Sequence, residues 1–465
     1  MRYISTRGQA PALDFAGVLL AGLAADGGLY MPREWPRFSP ADLRALRGLP
    51  YPELAARVIA PFVGDSLSFA ELQTACHKAY AGFASQAVTP LVQLDTNLYA
   101  LELFRGPTLA FKDLALQLVG HLFELVLAKR GEKVRIVGAT SGDTGSAAIE
   151  AVAGRQNIDI TILHPHGKTS EVQRRQMTTV TAENVLNVAV DGTFDDCQDL
   201  VKAMFADAPF RAEMNLSAVN SINFARIAGQ IPYYVYAALN LGAPEREVAV
   251  SVPTGNFGNV LAAWAARQMG LPITRFIVGS NRNDILARFL AANDMSVQGV
   301  APSLSPSMDI QVSSNFERLL FEFLGRDAAL TAQTMTSFRA SGKMAVADEV
   351  WRAITRDFKG YRLSDEDTLK EIRRFWAESE YLADPHSVIA LAAARDLGPI
   401  GMPVIVAGTA HPAKFPDAIE RAVGIRPPLP AHLSDLYERK ERFTRAPNDL
   451  TAIETLVRNF ANRNK

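Results

Sequence analysis

One lysine among apolar neighbours has the clearest chemical potential in this chain. Lys112 lies within residues 109–116, where the pattern predicts the beginning of a helix. Its ammonium would lie at the positive end of the helix dipole and be partly removed from water, and both effects favour the neutral amine. A neutral lysine amine is a nucleophile that forms Schiff bases with carbonyl substrates or with pyridoxal phosphate. On this segment alone, a lysine that extends from an amphipathic helix into water is the open alternative.

A glycine-rich turn provides a second candidate site. It follows the β-rich run 247–250 and precedes a predicted helix at residues 260–269. Glycines at such a turn let successive backbone N–H groups converge on one point beside a helix N-terminus, which suits a phosphate. The segment matches neither the P-loop nor the dinucleotide-binding fingerprint, so it predicts a cup for a monophosphate, with an ordinary turn as the alternative. The predicted cup consists of Gly255, Asn256, Phe257, Gly258 and Asn259.

A third segment, residues 406–415, ends another strand-like run with a small hydroxyl residue, Thr409. A neutral hydroxyl can form a hydrogen bond with a pyridine nitrogen without protonating it. A threonine at this position is also typical of a turn or a helix cap. An amine, a phosphate cup and a hydroxyl together nevertheless form a set that chance rarely assembles.

With these segments, the chain resembles the threonine synthase family in its longer form. These are pyridoxal-phosphate enzymes of the tryptophan-synthase-β-like fold, known as fold type II. The resemblance runs from the first residues almost to the last. The matching segments are residues 3–8, 22–30, 104–108 leading to Lys112, 139–145, 220–223 with Arg226, 255–259, 305–309 and the Thr409 loop.

The resemblance implies both the cofactor and the reaction. Lys112 would carry pyridoxal phosphate as an internal aldimine and act as the catalytic base, the 255–259 cup would bind the cofactor phosphate, and Thr409 would face the ring nitrogen. The implied substrate is O-phospho-L-homoserine, which loses its γ-phosphate and accepts water at Cβ to give L-threonine. Two alternatives stay open: a related phospholyase that releases 2-oxobutyrate, ammonia and phosphate, and a cofactor-less binding protein.

The substrate needs donors that are distinct from the cofactor cup. Arg226 is the main candidate, because its planar fork can bind two phosphate oxygens, although a salt bridge would also explain it. Neutral donors could come from the turn at residues 220–223, although such residues also shape turns. The complete predicted substrate-binding set is Ser141, Thr144, Asn220, Ser221, Asn223 and Arg226.

Four further residues have no assigned role at this stage. Relatives in the wider fold often place an asparagine beside the cofactor's 3′-hydroxyl, whereas the matching position here is Asp143, and a carboxylate cannot donate to a phenolate. Lys168 is a possible additional phosphate contact. Ser307 and Asp309 could hold a loop at the entrance to the site.

Composition narrows the class of protein. A hydrophobic share of 48% and a charged share of 21% are typical of a globular protein, and 465 residues predict two or three domains. The net charge of −1 gives no electrostatic reason to expect nucleic acid or an anionic membrane as a partner. No apolar run reaches membrane-spanning length. We therefore expect neither a nucleic acid nor a membrane as a partner. The partner that the family resemblance implies is the small-molecule substrate, and the expected assembly is a monomer or a homodimer.

The cysteines and the chain start bear on compartment and metals. Cys76 and Cys197 are too few for a disulfide framework and lack metal-ligand spacing. The first residues lack the apolar segment of a secretory signal. These features predict a cytoplasmic protein that uses no metal.

The pattern along the chain predicts an α/β fold with two parallel-sheet domains and the cofactor in the crevice between them. The N-terminal segment, 1–95, is expected to be mostly helical, with Ser39 as a helix cap. The loops at Thr140, Gly255 and Thr409 each follow a predicted strand, and ligands gather at such strand ends. The strand-like runs are 134–137, 158–163, 185–190, 248–252, 273–278 and 404–406. The other predicted segments are an α/β core at 96–280 and 384–430 with a smaller subdomain at about 134–225, a mostly helical insertion at 281–383 and a helical C-terminal segment at 431–465.

Overall fold

The computed structural model describes residues 1–218 and 220–463. Its strands are β1 (Tyr3–Ser5), β2 (Tyr30–Pro32), β3 (Leu91–Asp95), β4 (Leu98–Glu102), β5 (Val134–Ala139), β6 (Ile158–Pro165), β7 (Val185–Asp191), β8 (Leu216–Ser217), β9 (Val248–Pro253), β10 (Ile273–Ser280), β11 (Phe358–Arg362), β12 (Val404–Gly408) and β13 (Thr444–Pro447).

α-Helices surround these strands, and four of them lie in the first 80 residues. They are α1 (Phe15–Ala21), α2 (Pro40–Ala45), α3 (Tyr51–Val63), α4 (Phe69–Tyr80), α5 (Lys112–Arg130), α6 (Asp143–Val152), α7 (Glu171–Thr178), α8 (Phe194–Ala206), α9 (Ala208–Met214), α10 (Phe224–Ala228), α11 (Ile231–Asn240), α12 (Gly258–Gln268), α13 (Ile285–Ala292), α14 (Phe316–Phe323), α15 (Ala328–Ser341), α16 (Asp348–Asp357), α17 (Asp365–Ser379), α18 (Ser387–Leu397), α19 (Pro416–Val423) and α20 (Leu450–Arg463).

Two sheets with parallel strands form the framework. The larger sheet has the order β11-β10-β9-β12-β4-β3, and all its neighbours are parallel except β3 and β4. The smaller sheet has the order β13-β7-β6-β5-β8 and is parallel throughout. Every residue of β6, β9 and β12 is buried, as expected for strands covered by helices on both faces. The predicted α/β architecture with parallel sheets is confirmed.

The six predicted strand-like runs all form strands, and the predicted helix cap is present. Ser39 accepts a hydrogen bond from the Asp42 backbone N–H while the Asp42 carboxylate accepts from Ser39, which is a complete capping box at the start of α2. Cys76 and Cys197 are free and buried, so both serve as packing residues in the interior.

The structure adds strands that the sequence pattern did not predict. The hairpin β3–β4 begins inside the segment expected to be mostly helical, and β11 lies within the predicted helical insertion. β11 adds to the edge of the larger sheet beside β10, and β13 adds to the edge of the smaller sheet beside β7. In the described part of the chain, no helix is long and apolar enough to cross a bilayer. The proposed domain boundaries stay a prediction.

Candidate active site

Lys112 is the first residue of α5, and its position is fixed by the loop that follows β12. The Phe111 backbone N–H donates to the Thr409 carbonyl at 2.9 Å, and the His411 N–H donates to the Leu109 carbonyl at 3.0 Å. Leu109 itself has a left-handed backbone, with φ 62°. Two segments that are far apart in sequence therefore lie side by side, and they bring Thr409 close to Lys112.

The Lys112 amine is buried beside a carboxylate. Its side chain is 11% exposed, and its Nζ lies 3.4 Å from Oδ2 of Asp143. Burial lowers the pKa of Lys112, and repulsion from Lys414 and Arg226 lowers it further, while the Asp143 carboxylate acts in the opposite direction. The net effect favours the neutral, nucleophilic form of the amine.

Asp143, the first residue of α6, is the electrostatic centre of the site. Its Oδ1 lies 2.7 Å from Nζ of Lys414, and its Oδ2 accepts a hydrogen bond from the Ser307 hydroxyl at 3.0 Å. Burial would raise the pKa of Asp143, but Lys414, Lys112 and His386 together hold it well below its usual range. Asp143 is therefore an ionised acceptor, and the carboxylate joins two lysines.

The predicted phosphate cup lies between β9 and α12, at the carboxyl end of a buried strand. Phe257 has a left-handed backbone, with φ 62°, and Gly258 is the first residue of the helix. A Cβ at Gly255 would lie only 2.8 Å from the Ser307 carbonyl oxygen. The loop at Ser307 thus covers the cup closely, and only glycine fits at residue 255.

The side chain of Asn259 provides an observation on what the cup could hold. Its Oδ1 accepts hydrogen bonds from the hydroxyls of Tyr233 and Tyr234, at 2.7 and 2.5 Å. Its buried Nδ2 has no hydrogen-bond partner among the described residues. A buried amide donor without an acceptor is costly, and its place in the first turn of α12 suits an anion.

Arg226 lies on the short helix α10 and is buried, with 4% of its surface exposed. Burial lowers its pKa to about 10, so the guanidinium is still charged at neutral pH. Its charge also contributes to the lowered pKa of Lys112. The predicted substrate-phosphate ligand therefore lies in the electrostatic surroundings of the predicted catalytic base.

Asn223 is used inside the protein. Its Oδ1 accepts from the Ala225 N–H at 3.0 Å and caps α10, and its Nδ2 donates to the Leu19 carbonyl at 2.8 Å. The residue is fully buried. These contacts give Asn223 a structural role, and its predicted contact with substrate stays a prediction.

The remaining members of the substrate-binding set are more accessible. Asn315 connects this region to the cup, because its Nδ2 donates to the carbonyl oxygens of Ser221 and Asn256, at 3.1 and 3.0 Å. The exposed or partly exposed members are Ser141, Thr144, Asn220 and Ser221. Their roles stay predictions.

The structure separates the residues whose roles the sequence left open. Ser307 contacts Asp143 directly, as described above. Asp309 instead accepts hydrogen bonds from the Asn281 amide at 2.8 Å and the Ser303 hydroxyl at 2.6 Å, so it stabilises the loop that carries Ser307. Lys168 is exposed, and its charge helps to lower the pKa of Asp196.

Sequence reasoning missed four residues around Asp143. Gln173 Nε2 donates to Asp143 Oδ1 at 2.8 Å, and the Ser307 N–H donates to Nε2 of His386 at 3.3 Å. The His386 Nδ1 lies 2.7 Å from Oδ2 of Asp384, also buried. The fourth is Lys414. Only Lys414 had a local signal, a lysine in a segment already singled out, because the fold brings the others in from distant positions.

Comparisons with known proteins agree with this geometry. Family models match residues 2–80 (threonine synthase N terminus), 83–351 (pyridoxal-phosphate dependent enzyme) and 387–457 (threonine synthase, C-terminal). The threonine synthase of Pseudomonas aeruginosa is 55% identical over 100% of both chains. The structure of a PLP-bound threonine synthase from Brucella melitensis matches with a TM-score of 0.97 at 51% identity, covering 99% of both chains. The yeast threonine synthase structure matches with a TM-score of 0.93 at 38% identity, covering 100% of this chain and 98% of that one.

Proposed function

The chain belongs to the threonine synthase family of pyridoxal-phosphate-dependent enzymes, and we propose that it converts O-phospho-L-homoserine and water to L-threonine and phosphate. The observation that carries this proposal is the buried Lys112 amine beside the ionised Asp143. The burial of Arg226 close to this pair supports a phosphorylated substrate. The full-length match to a threonine synthase supports this reaction over the phospholyase reaction.

The residues present fit pyridoxal phosphate. Lys112 would hold the aldehyde carbon, the backbone of residues 255–259 and the Asn259 amide would hold the phosphate, and the Thr409 hydroxyl would face the ring nitrogen. The unpartnered Asn259 donor is the observation that tests this fit, because a phosphate oxygen would satisfy it. When bound, the cofactor supplies an electron-accepting ring that makes the protons at Cα and Cβ of the substrate removable.

The chain's own residues would then bind, orient and move protons. Lys112, once released from the cofactor, would take the Cα proton, because its lowered pKa favours the neutral amine. Arg226 would hold the substrate phosphate with two parallel hydrogen bonds and stabilise it as it leaves. Asp143, whose Oδ2 accepts a hydrogen bond from the Ser307 hydroxyl, would orient the Lys112 amine.

Products decide between the proposed reaction and its nearest alternative. Incubation of the purified enzyme with O-phospho-L-homoserine should release phosphate and L-threonine in equal amounts. Both products should be assayed in the same sample, together with 2-oxobutyrate and ammonia. Phosphate release accompanied by 2-oxobutyrate and ammonia would assign the phospholyase reaction instead, and release of no phosphate would reject both enzymatic functions.

A methyl group at residue 255 should weaken cofactor binding. In Gly255→Ala the new Cβ would lie 2.8 Å from the Ser307 carbonyl and 3.0 Å from the Ile310 side chain, so the covering loop or the cup must move. We expect the dissociation constant for pyridoxal phosphate, measured by absorbance titration, to rise at least about tenfold. A β-branched residue at Gly255 or Gly258 should have a larger effect.

The matched control for this variant is Gly82→Ala. A Cβ at Gly82 meets nothing within 4 Å, so cofactor affinity should be unchanged. If Gly255→Ala binds pyridoxal phosphate as tightly as Gly82→Ala does, the phosphate cup lies elsewhere.

We further propose that the enzyme works in the cytoplasm as a monomer or homodimer, with the small-molecule substrate as its partner. The proposed division into segments is the one predicted from the sequence, with the α/β core at 96–280 and 384–430. Size-exclusion chromatography with light scattering measures the oligomeric state directly.

A further inference from the structure

Lys414 is a fully buried lysine that the proposed reaction does not use. Its side chain is 0% exposed. The Nζ donates to the Thr108 carbonyl at 2.8 Å and lies 2.7 Å from Oδ1 of Asp143. Burying an ammonium costs free energy unless a group of opposite charge lies beside it.

For Lys414 this partner is the carboxylate of Asp143. Each oxygen of the Asp143 carboxylate lies beside a different lysine: Oδ1 lies 2.7 Å from Nζ of Lys414, and Oδ2 lies 3.4 Å from Nζ of Lys112. The two lysines therefore lie at opposite ends of one carboxylate. Without Lys414, the carboxylate would bring an excess negative charge into the predicted cofactor site, while with Lys414 the pair is neutral.

The far side of Lys414 is held as well. The Thr108 carbonyl that accepts from Lys414 belongs to a residue whose N–H and hydroxyl both donate to Asp113, at 2.8 and 2.6 Å. Asp113 is buried, and burial raises its pKa to about 6 against the opposing effects of Thr108 and Lys414. The position of the Lys414 ammonium is therefore fixed from both sides.

We propose that Lys414 is a positioning residue for the proposed reaction: by neutralising Asp143 and holding Oδ1, it turns Oδ2 towards the Lys112 amine. The inference rests on the proposed function only in its assignment of Lys112 as the lysine that holds the cofactor. The charged and titratable groups that face Asp143 are Lys112, Lys414 and His386, with Gln173 and Ser307 as neutral donors.

Two variants, each of which removes one charge from the Asp143–Lys414 pair, should shift the pH dependence of cofactor capture in opposite directions. In the full-length chain freed of cofactor, the rate at which Lys112 captures added pyridoxal phosphate is measured as a function of pH. Lys414→Met leaves the carboxylate unbalanced, so the pH midpoint for capture should rise by about one unit. Asp143→Asn leaves the Lys414 cation unbalanced, so the midpoint should fall by about as much.

The double variant Lys414→Met/Asp143→Asn has no net charge at this position, and its midpoint should return close to that of the wild type. A purely structural role predicts something different, namely that the double variant is damaged at least as much as either single variant. If Lys414→Met does not fold, Lys414→Gln provides the same charge change with a side chain that can still donate hydrogen bonds.

The matched control is Lys133→Met. Lys133 also pairs with a buried carboxylate, since its Nζ lies 3.2 Å from Asp159. Lys133 directly precedes the first residue of β5, whereas Asp143 follows the last, so the two residues lie at opposite ends of this strand. The capture profile of Lys133→Met should equal that of the wild type. Midpoints that do not move, that move in the same direction in both single variants, or that are not restored in the double variant would overturn the inference.

Failure of this inference can be distinguished from failure of the proposed function. Capture of pyridoxal phosphate is measured without substrate, so an enzyme that forms a product other than threonine still gives a readable profile. A wild-type chain whose Lys112 captures no cofactor would instead reject the proposed function and, with it, the premise of the inference.

Discussion

Replacing Lys112 with alanine is expected to abolish threonine formation and the absorption of the lysine-bound cofactor while the chain stays folded. The proposed mechanism asks this amine for covalent attachment and for proton transfer. Loss of a positioned proton carrier alone lowers a rate by about 10²–10⁴-fold, and loss of attachment adds to this. The fold should survive, because Asp143 keeps its contacts with Lys414 and Ser307.

Two measurements complete this prediction. Circular dichroism and thermal unfolding should give nearly wild-type curves for Lys112→Ala, and Lys112→Arg should also be inactive, since a guanidinium keeps the charge but is not a nucleophile. The exposed Lys202→Ala, with 70% of its side chain accessible, serves as the control for loss of a lysine and should keep its bound cofactor. Threonine production by Lys112→Ala at a near-normal rate would remove Lys112 from the reaction.

The strands that the sequence predicted are the buried ones. β6, β9 and β12 are continuous runs of buried, mostly β-branched and apolar residues, and such runs are recognisable because both faces are covered. The hairpin β3–β4 was missed because its sequence is rich in leucine and contains alanine and glutamate, which favour helices in isolation. Pairing with β12 overrides that preference.

The edge strand β11 was also not predicted from the sequence, but for a different reason. Its sequence, residues 358–362, contains only two apolar side chains, and its central residue is Gly360. A Cβ there would lie 2.8 Å from Cα of Ala287, so the close approach of α13 requires the glycine. This close approach is a tertiary contact, and a local pattern carries no sign of it.

In the candidate site, local motifs pointed to residues that stand out from the neighbouring sequence. Lys112 and the turn at Gly255 follow this rule, because each combines a strand or helix boundary with an unusual residue. His386 and Gln173 do not, because an isolated histidine or glutamine is common in any protein. Their relevance comes only from contact with Ser307 and Asp143, which the fold establishes.

Asp143 is the clearest case in which the structure changes the interpretation of a residue. From the sequence, a carboxylate beside a phenolate looked unfavourable. The structure supplies the missing cation, Lys414, at 2.7 Å. Because Lys112, Lys414 and His386 all stabilise its charged form, the carboxylate should stay ionised throughout the neutral pH range, and loss of activity on mild acidification should not come from Asp143.

Arg226→Ala is expected to lower kcat/KM for O-phospho-L-homoserine far more than it lowers cofactor occupancy. The side chain is buried, and its guanidinium stays charged at neutral pH with a pKa of about 10. Loss of two charge-assisted hydrogen bonds to a phosphate should cost on the order of 2–4 kcal/mol, which is about thirty- to several-hundred-fold. Steady-state kinetics and absorbance of the bound cofactor measure the two quantities separately.

The companion variants decide which phosphate Arg226 binds. Arg226→Lys should restore only part of the activity, because an ammonium supplies charge without the planar fork. The exposed Arg352→Ala, with 76% of its side chain accessible, is the control and should behave as the wild type. If Arg226→Ala loses pyridoxal phosphate instead, Arg226 belongs to the cofactor cup with Gly255. If it keeps full activity, the guanidinium has only an internal, structural role, and the substrate phosphate must be held by other donors.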